Sequence, residues 1–413
     1  MDRITKITIK NVRAIRYAEV DISPVTVLIG ENGAGKSTII ECLEILHKAA
    51  EPSFFQNFYT IHRGLPGLLR KGATAMALGV VIEDDTGLEP RIDYSFALAR
   101  QGAGAAVQSE HLLLGPDDRE RAPVVALRRV GARGEILDDK VGTLVPLPPG
   151  AMGSDQLVIA SFGALPPQKA IERLLGVLGG IEVHLGFDTI AAWAARSYQF
   201  TLSMRGSSFL QPAERLNLLG FNFANAWISL RNQSSSHWEE TMALVRLGLG
   251  DIIDTVNVDP DAGGGNIAVS IRFVGLAEPI PAANLSDGQL SWLAFVAMAR
   301  LDRGRSLLAV DEPELHLHPS LCGRVIALLM GLEGGAPVII STHADRVLEL
   351  LDDPASAVRV CVNEGGNASV QRLDPVELAE WTKDYGDLGK LRANGLLARV
   401  LKEPPADPAM ETP

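Results

Sequence analysis

The chain has 413 residues, 46% hydrophobic and 21% charged, with a formal net charge of −12 from 50 acidic and 38 basic side chains. That length holds two or three domains, or one large domain with an insertion, and the composition is that of a globular protein. The acidic balance argues against a surface built throughout for nucleic acid, because phosphate contacts dominate such affinity, and no run approaches the roughly 18 apolar residues of a membrane-spanning helix.

Residues 1–16 alternate apolar and polar side chains and lack the apolar core of a signal peptide. Cys42, Cys322 and Cys361 lie far apart and match no metal spacing. Such a sparse, odd set fits a reduced, cytoplasmic compartment, with the thiols serving as small buried groups.

In chain order, Ile4 to Lys10 reads as a strand by strict alternation, and a second strand is expected near Tyr17 to Ile22. Val25 to Ile29 is a short β-branched run of the kind found inside a sheet. A helix is predicted from about Lys36 to Ala49, packed through Ile39, Ile40, Leu43, Ile45 and Leu46, followed by strands at Ala75–Glu83 and Arg91–Ala99. From Gln101 to Gly153 glycine, proline and charge blur the pattern, and short strands near Val124–Arg129 are the best reading. Helices dominate from Pro167 to Arg246, including Pro167–Leu178 and one opening at a capping box at Ser236–Glu239. Strands return at Asn266–Val274. Helix and strand then alternate through Asp287–Asp302, Leu307–Val310, Pro319–Leu332, Val338–Ser341, His343–Leu351 and Val358–Val362. The proline-rich tail 402–413 is expected to be disordered.

Three motifs carry chemistry. Residues 30–38 match GxxxxGK[ST] between a buried strand and a helix, which is the context a phosphate-binding loop requires. Gly30, Gly33 and Gly35, with Asn32 and Thr38 in the same loop, let backbone N–H groups face phosphates at a helix N-terminus. Lys36 then places a charge on the β- and γ-phosphates of ATP, and the Ser37 hydroxyl is a Mg²⁺ ligand. Leu307 to Val310 is an apolar strand ending in Asp311 and Glu312. Asp311 suits Mg²⁺, and Glu312 suits the polarisation of an attacking water. At Leu285-Ser286-Asp287-Gly288-Gln289 a serine and a glycine open a helix and form a second anion-binding turn.

With these motifs and Ser341-Thr342-His343 in their order and spacing, the chain resembles the ABC ATPase superfamily. The resemblance implies that the signature of one protomer, through Ser286 and Gly288, caps the γ-phosphate held by the loop of another, and that His343 contacts that phosphate. The signature departs from LSGGQ at Asp287. The N-terminal pattern Ile7–Arg13 and the run Asp311-Glu312-Pro313-Glu314-Leu315-His316-Leu317-His318-Pro319 look like the RecF, SMC and OLD group. By that resemblance Arg13 lies near the nucleotide, and Gln56 takes the glutamine position that assists Mg²⁺. The implied fold is α/β: an ABC-ATPase head with a mixed, largely parallel P-loop sheet, an N-terminal antiparallel β subdomain and a helical insertion between the motif halves. The expected divisions are 1–100, an inserted region 101–250, a C-terminal lobe 251–401 and the tail.

The insertion has no heptads, so no coiled-coil arm is expected, and no acidic DxD cluster follows His343 to mark a nuclease. What remains resembles stand-alone ATPases of the group: homodimers through ATP that control a separate effector or nuclease in defence or repair. The alternative is a RecF-like clamp binding DNA directly, with Arg128, Arg129 and Arg133 lining a groove. A transporter subunit is disfavoured by the long stretch between Lys36 and Ser286.

Overall fold

Ile4, Ile7 and Ile9 all bury on one side of the first strand, Asp2–Val12, although strict alternation would turn Ile4 the other way. A β-bulge between Ile4 and Lys6 makes the correction by shifting the register against the strand Ala75–Asp84. The computed structural model describes residues 2–102, 104–115, 122–147, 153–164, 168–190, 204–260, 265–301, 304–315, 317–332 and 335–402. Pro167, Asp302, His316 and the tail 403–413 lie outside the described residues.

The chain divides into two compact units: 1–183 with 305–309 and 336–413, and 184–304 with 310–335. The first is organised by a 14-stranded sheet. At its centre, Val25–Gly30 pairs in parallel with Val338–Ser341 on one side and Val358–Glu364 on the other. Val358–Glu364 turns back antiparallel onto Asn367–Arg372, which meets Ile15–Asp21 in parallel. From there the sheet continues antiparallel through Asp2–Val12, Ala75–Asp84, Arg91–Gln101, Gly104–Gly115, Val124–Val130, Arg133–Asp138 and Thr143–Pro146. Parallel centre and antiparallel flank are therefore one sheet. The strands of 104–146 extend it, where the blurred pattern gave expectation only near 124–129.

Local structure follows the sequence closely near the centre. Lys36–Ala49 is a helix whose Ile39, Ile40, Leu43, Ile45 and Leu46 are buried. Phe54–His62 adds a short helix packed through Phe54, Phe55 and Phe58. The helix expected from Pro167 runs over Lys169–Gly179, and the one expected at His343–Leu351 is a single turn, Asp345–Leu348. All three cysteines are buried, and burial pushes the Cys361 thiol up to about 12.

The far flank is held by a buried polar knot. Tyr94 donates from its hydroxyl to Glu110 (3.1 Å), which also accepts from the backbone amides of Val158 and Ile159 (2.7 and 3.1 Å). Arg129 donates to the carbonyls of Gly131, Gly153 and Gln156. Burial raises the Glu110 pKa even against those amides, Tyr94 and Arg129. Satisfying every partner makes such a cluster tolerable inside a protein.

Among the described residues of the second unit, a small antiparallel sheet of Ile253–Pro260, Asn266–Phe273, Ser208–Phe209 and Ile280–Pro281 accompanies four helices. These are Phe223–Arg231, Ser235–Leu249, Asp287–Arg300 and Pro319–Met330. The capping box expected at Ser236 does not form. The helix starts earlier, and Ser234 is its N-cap, accepting from the His237 amide (3.3 Å), while Ser236 pairs with Glu240.

Two helices of this unit meet at very close range. The Trp292 indole N–H donates to the carbonyls of Leu244 and Val245 (3.1 and 3.2 Å), and the ring lies so near Gly248 that a β-carbon there would sit 2.0 Å from it. An exposed helical glycine replaced by alanine normally gains roughly 0.5–1 kcal/mol. Gly176, with nothing near its β-position, should behave that way as Gly176→Ala. Gly248→Ala should instead lose about 1–3 kcal/mol through overpacking. Urea unfolding of the two variants checks the opposite signs; a stabilised Gly248→Ala would mean that the contact is not tight.

Candidate nucleotide site

The phosphate loop is shaped by what surrounds the end of the Val25–Gly30 strand. Gly30 takes φ +150°, Gly33 +76° and Gly35 +101°. At Gly30 a β-carbon would lie 2.2 Å from the Cys361 carbonyl oxygen of the neighbouring parallel strand. Glycine is required there by backbone proximity as well as by conformation. Asn363, near the end of that same neighbour, donates to the Gly33 carbonyl (2.8 Å) and braces the loop from outside. The sequence reading missed Asn363, since an asparagine at a strand end carries no signal of what it faces.

Gly35 caps the Lys36–Ala49 helix in the left-handed region, with no side-chain cap and no acidic residue in the first turn. The first amides of a helix have no intrahelical acceptors, so this N-terminus is prepared for an anion. Lys36 is 5% exposed, and its ammonium donates to the Gly30 and Glu31 carbonyls (2.9 and 3.3 Å). These bonds keep the charge at the loop. Ser37 is exposed and Thr38 half-buried, while Asn32 and Gly33 are exposed on the rim. An outward hydroxyl beside a lysine and bare amides is a donor set suited to a magnesium–nucleotide phosphate.

His343 is exposed just past the strand Val338–Ser341, which lies beside the loop strand with Ser341 opposite Leu28. The turn that carries it is fixed: the Thr342 amide donates to the Leu28 carbonyl (3.0 Å) and the Ala344 amide to the Thr342 hydroxyl (2.9 Å). Arg13, at φ +49° in the first hairpin, donates to Glu41 on the loop helix (2.9 Å). Glu41 also bonds His62 (2.9 Å). Burial opposes ionisation of Glu41, but the His62 hydrogen bond and the Arg13 charge outweigh it and hold its pKa below the usual value. Arg13 is thus tied to the helix that follows the loop. Gln56 stands exposed on the Phe54–His62 helix, away from its buried phenylalanines, and its carbonyl accepts from the Thr60 hydroxyl (2.9 Å).

The signature and the acidic pair belong to the second unit. Ser286 is the N-cap of the Asp287–Arg300 helix in a complete capping box. Its hydroxyl accepts from the Gln289 amide (3.3 Å), and the Gln289 side chain accepts from the Ser286 amide (2.9 Å). Capping uses a lone pair of the serine oxygen and leaves its O–H as a donor. Gly288 lies in the first turn. Asp311 ends the strand Leu307–Asp311, and Glu312 follows at φ +49°, a left-handed conformation that costs a residue with a β-carbon roughly 1–2 kcal/mol. Its carbonyl accepts from the Leu315 amide (3.1 Å), closing a turn. His318, in the run after Glu312, serves as N-cap of the helix Pro319–Met330. No group of three or more metal-ligating side chains occurs among the described residues, nor any helix long and apolar enough to cross a membrane.

Several basic residues of the first hairpin and of the suggested DNA groove form ion pairs. Arg3 pairs with Asp85, Lys6 with Glu19, Arg13 with Glu41 and Arg128 with Glu135. Arg129 is 1% exposed and belongs to the buried knot.

A family model described as "AAA ATPase domain" matches residues 3–96, which include the phosphate loop. A second, described as "AAA domain, putative AbiEii toxin, Type IV TA system", matches 208–349, which include the signature, the acidic pair and His343. The Old nuclease of Escherichia phage P2 is 42% identical over 65 residues, 16% of this chain and 11% of that protein, so the match spans a small part of that relative. An SMC head bound to the C-winged helix domain of ScpA aligns over 89% of this chain and 97% of that one, with a TM-score of 0.50 and 12% identity. The SMC head domain from Thermotoga maritima covers 90% and 99%, at 0.43 and 15%. At these identities the structural likeness concerns the fold alone. With the motifs, the two family models and the short Old nuclease match support an ABC-type, OLD-like ATPase, and the SMC head at a TM-score of 0.50 supports the fold.

Lys36→Ala should abolish nucleotide binding, since the loop otherwise offers neutral amides. Asn363→Ala, which loosens the loop without removing a phosphate ligand, should weaken binding by about tenfold, the equivalent of one net hydrogen bond. Fluorescent-ATP titration with Mg²⁺ measures both, and unchanged affinity in Lys36→Ala would refute the loop assignment.

Proposed function

We propose that this ABC-type ATPase of the SMC- and OLD-like group binds ATP on the 30–38 loop and hydrolyses it in a site completed by the signature turn of a second copy. The observation that carries the reading is the pair of helix N-termini. One, at Lys36, is bare of side-chain caps. The other, at Ser286, is self-capped yet keeps a hydroxyl donor, so each suits one side of a shared phosphate.

Ser37 and Asp311 are the residues assigned to Mg²⁺, and Ser286 and Gly288 to the partner's γ-phosphate. When bound, Mg²⁺ offsets the charge that grows on the phosphate oxygens. Glu312 accepts a proton from the attacking water as its oxygen bonds to the γ-phosphorus and the bond to the bridging oxygen breaks. The strained backbone at Glu312 supports this role, because such outliers collect where geometry is functionally over-determined. His343 contacts the γ-phosphate from the strand beside the loop.

The ATP-driven dimer acts as a switch on a separate effector or nuclease in a cytoplasmic, DNA-linked process, defence or repair. The paired basic residues favour this over a clamp that grips DNA directly, since such a clamp needs several uncommitted cations for phosphate. The short match to Old nuclease is consistent with a nuclease partner.

Glu312→Gln keeps size and hydrogen bonding but removes the base. Hydrolysis should fall roughly 10²–10⁴-fold with ATP affinity nearly unchanged. The variant should run as a monomer without nucleotide and as a stable dimer with ATP, by light scattering after gel filtration. Ser286→Arg should bind ATP yet neither dimerise nor hydrolyse it. A Glu312→Gln chain that stays monomeric in saturating ATP would sink the shared-site reading.

A further inference from the structure

Asp287 poses a problem for the proposed site. It places a carboxylate in the first turn of the helix that should receive a γ-phosphate, and its side chain is 49% exposed. Like charges at a helix N-terminus compete for the same dipole and amides. Arg205, far away in sequence, answers it within the same unit. Its Nη2 donates to Asp287 Oδ1 at 2.6 Å. Its Nη1 reaches the carbonyls of Leu285, Ala283 and Ala282 (2.6, 3.1 and 3.3 Å), and its Nε donates to the Thr189 carbonyl (2.8 Å). The side chain is only 6% exposed. Ala282–Asn284 is the 3₁₀ turn that delivers the chain to the Ser286 cap. One planar fork therefore fixes both the backbone entering the signature and the carboxylate inside it, which a lysine's point charge cannot do.

We propose that Arg205 is the positioning residue of the signature turn: it clamps Ala282–Leu285 and neutralises Asp287, so that Ser286 and the helix amides can receive a phosphate. This rests on the reading of that turn as a γ-phosphate cap. Arg205 does not touch the nucleotide. It acts through the turn, and it should affect closure and turnover while leaving the first binding event alone.

The test uses the full chain. Arg205→Ala should bind fluorescent ATP within about twofold of the parent, since the 30–38 loop is intact. Its kcat should fall about 100-fold, the scale of losing one preorganised oxyanion donor. In the Glu312→Gln background it should abolish the ATP-dependent dimer. Arg205→Lys, which restores charge without the fork, should recover part of the loss. The decisive variant is Arg205→Ala with Asp287→Asn. With no bare carboxylate left at the turn, it should regain at least tenfold in kcat over Arg205→Ala at the same melting temperature.

Wild-type turnover in Arg205→Ala overturns the inference. So does a loss of turnover that the Asp287→Asn change leaves unrepaired, because charge masking is then not the function. A lowered melting temperature with weakened ATP binding also overturns it, marking Arg205 as a general structural brace. Ser286→Arg, run alongside, separates the two levels. If it dimerises and hydrolyses normally, the shared-site reading itself has failed. If it is inactive while Arg205→Ala is normal, only the inference about Arg205 is lost.

Discussion

A phosphate bound by backbone amides needs a loop that bends where side chains cannot follow, and the centre of the first unit's sheet shapes that bend. Gly30 runs against the Cys361 carbonyl because Val25–Gly30 is enclosed by parallel neighbours on both sides. That enclosure sets where the loop leaves the sheet and where the Lys36 helix begins. It also sets where His343 emerges, because the Val338–Ser341 strand is registered directly on the loop strand. The bracing by Asn363 and the Arg13–Glu41–His62 cluster follows from the same arrangement, with neighbouring elements tying down a loop whose own glycines give it little stiffness.

The second unit solves a different problem, which is how to hold an exposed helix N-terminus still. The Asp287–Arg300 helix is secured along its length. Arg205 grips its entry, and Trp292 packs onto Gly248 while donating to the end of Ser235–Leu249. At its far end Arg300 bonds Glu240 (2.6 Å) and His237 (2.8 Å) of that same helix. Arg324 caps the other helix's last carbonyls, at Leu247 and Gly248 (2.6 and 3.0 Å). Movement of the signature turn would have to carry the Ser235–Leu249 helix with it, because packed side chains at this density rearrange as a group.

The sequence by itself determined the local structure on which the proposed chemistry rests. The loop 30–38, the acidic pair 311–312 and the Ser286 turn were legible because each needs fixed residue types at fixed short spacing: glycines for left-handed backbone, an apolar strand before its acids, a hydroxyl before a helix. The strands and helices around them were legible for the same reason, since periods of two and 3.6 residues are printed in the pattern. The strands of 104–146 were mostly not legible, because their alternation is interrupted by glycine and charge, and the charged Glu110 and Arg129 are buried there against the usual rule. Only the tertiary structure could reveal Arg205 beside Asp287, Asn363 beneath Gly33, and the bulge that turns Ile4 inward. It also decided that Arg13 and Arg128 answer carboxylates and that Arg129 answers buried carbonyls. A guanidinium carries the same charge wherever it stands in the chain. What it does depends on which oxygen atoms the fold brings within about 3 Å of it, and those come from residues distant in sequence.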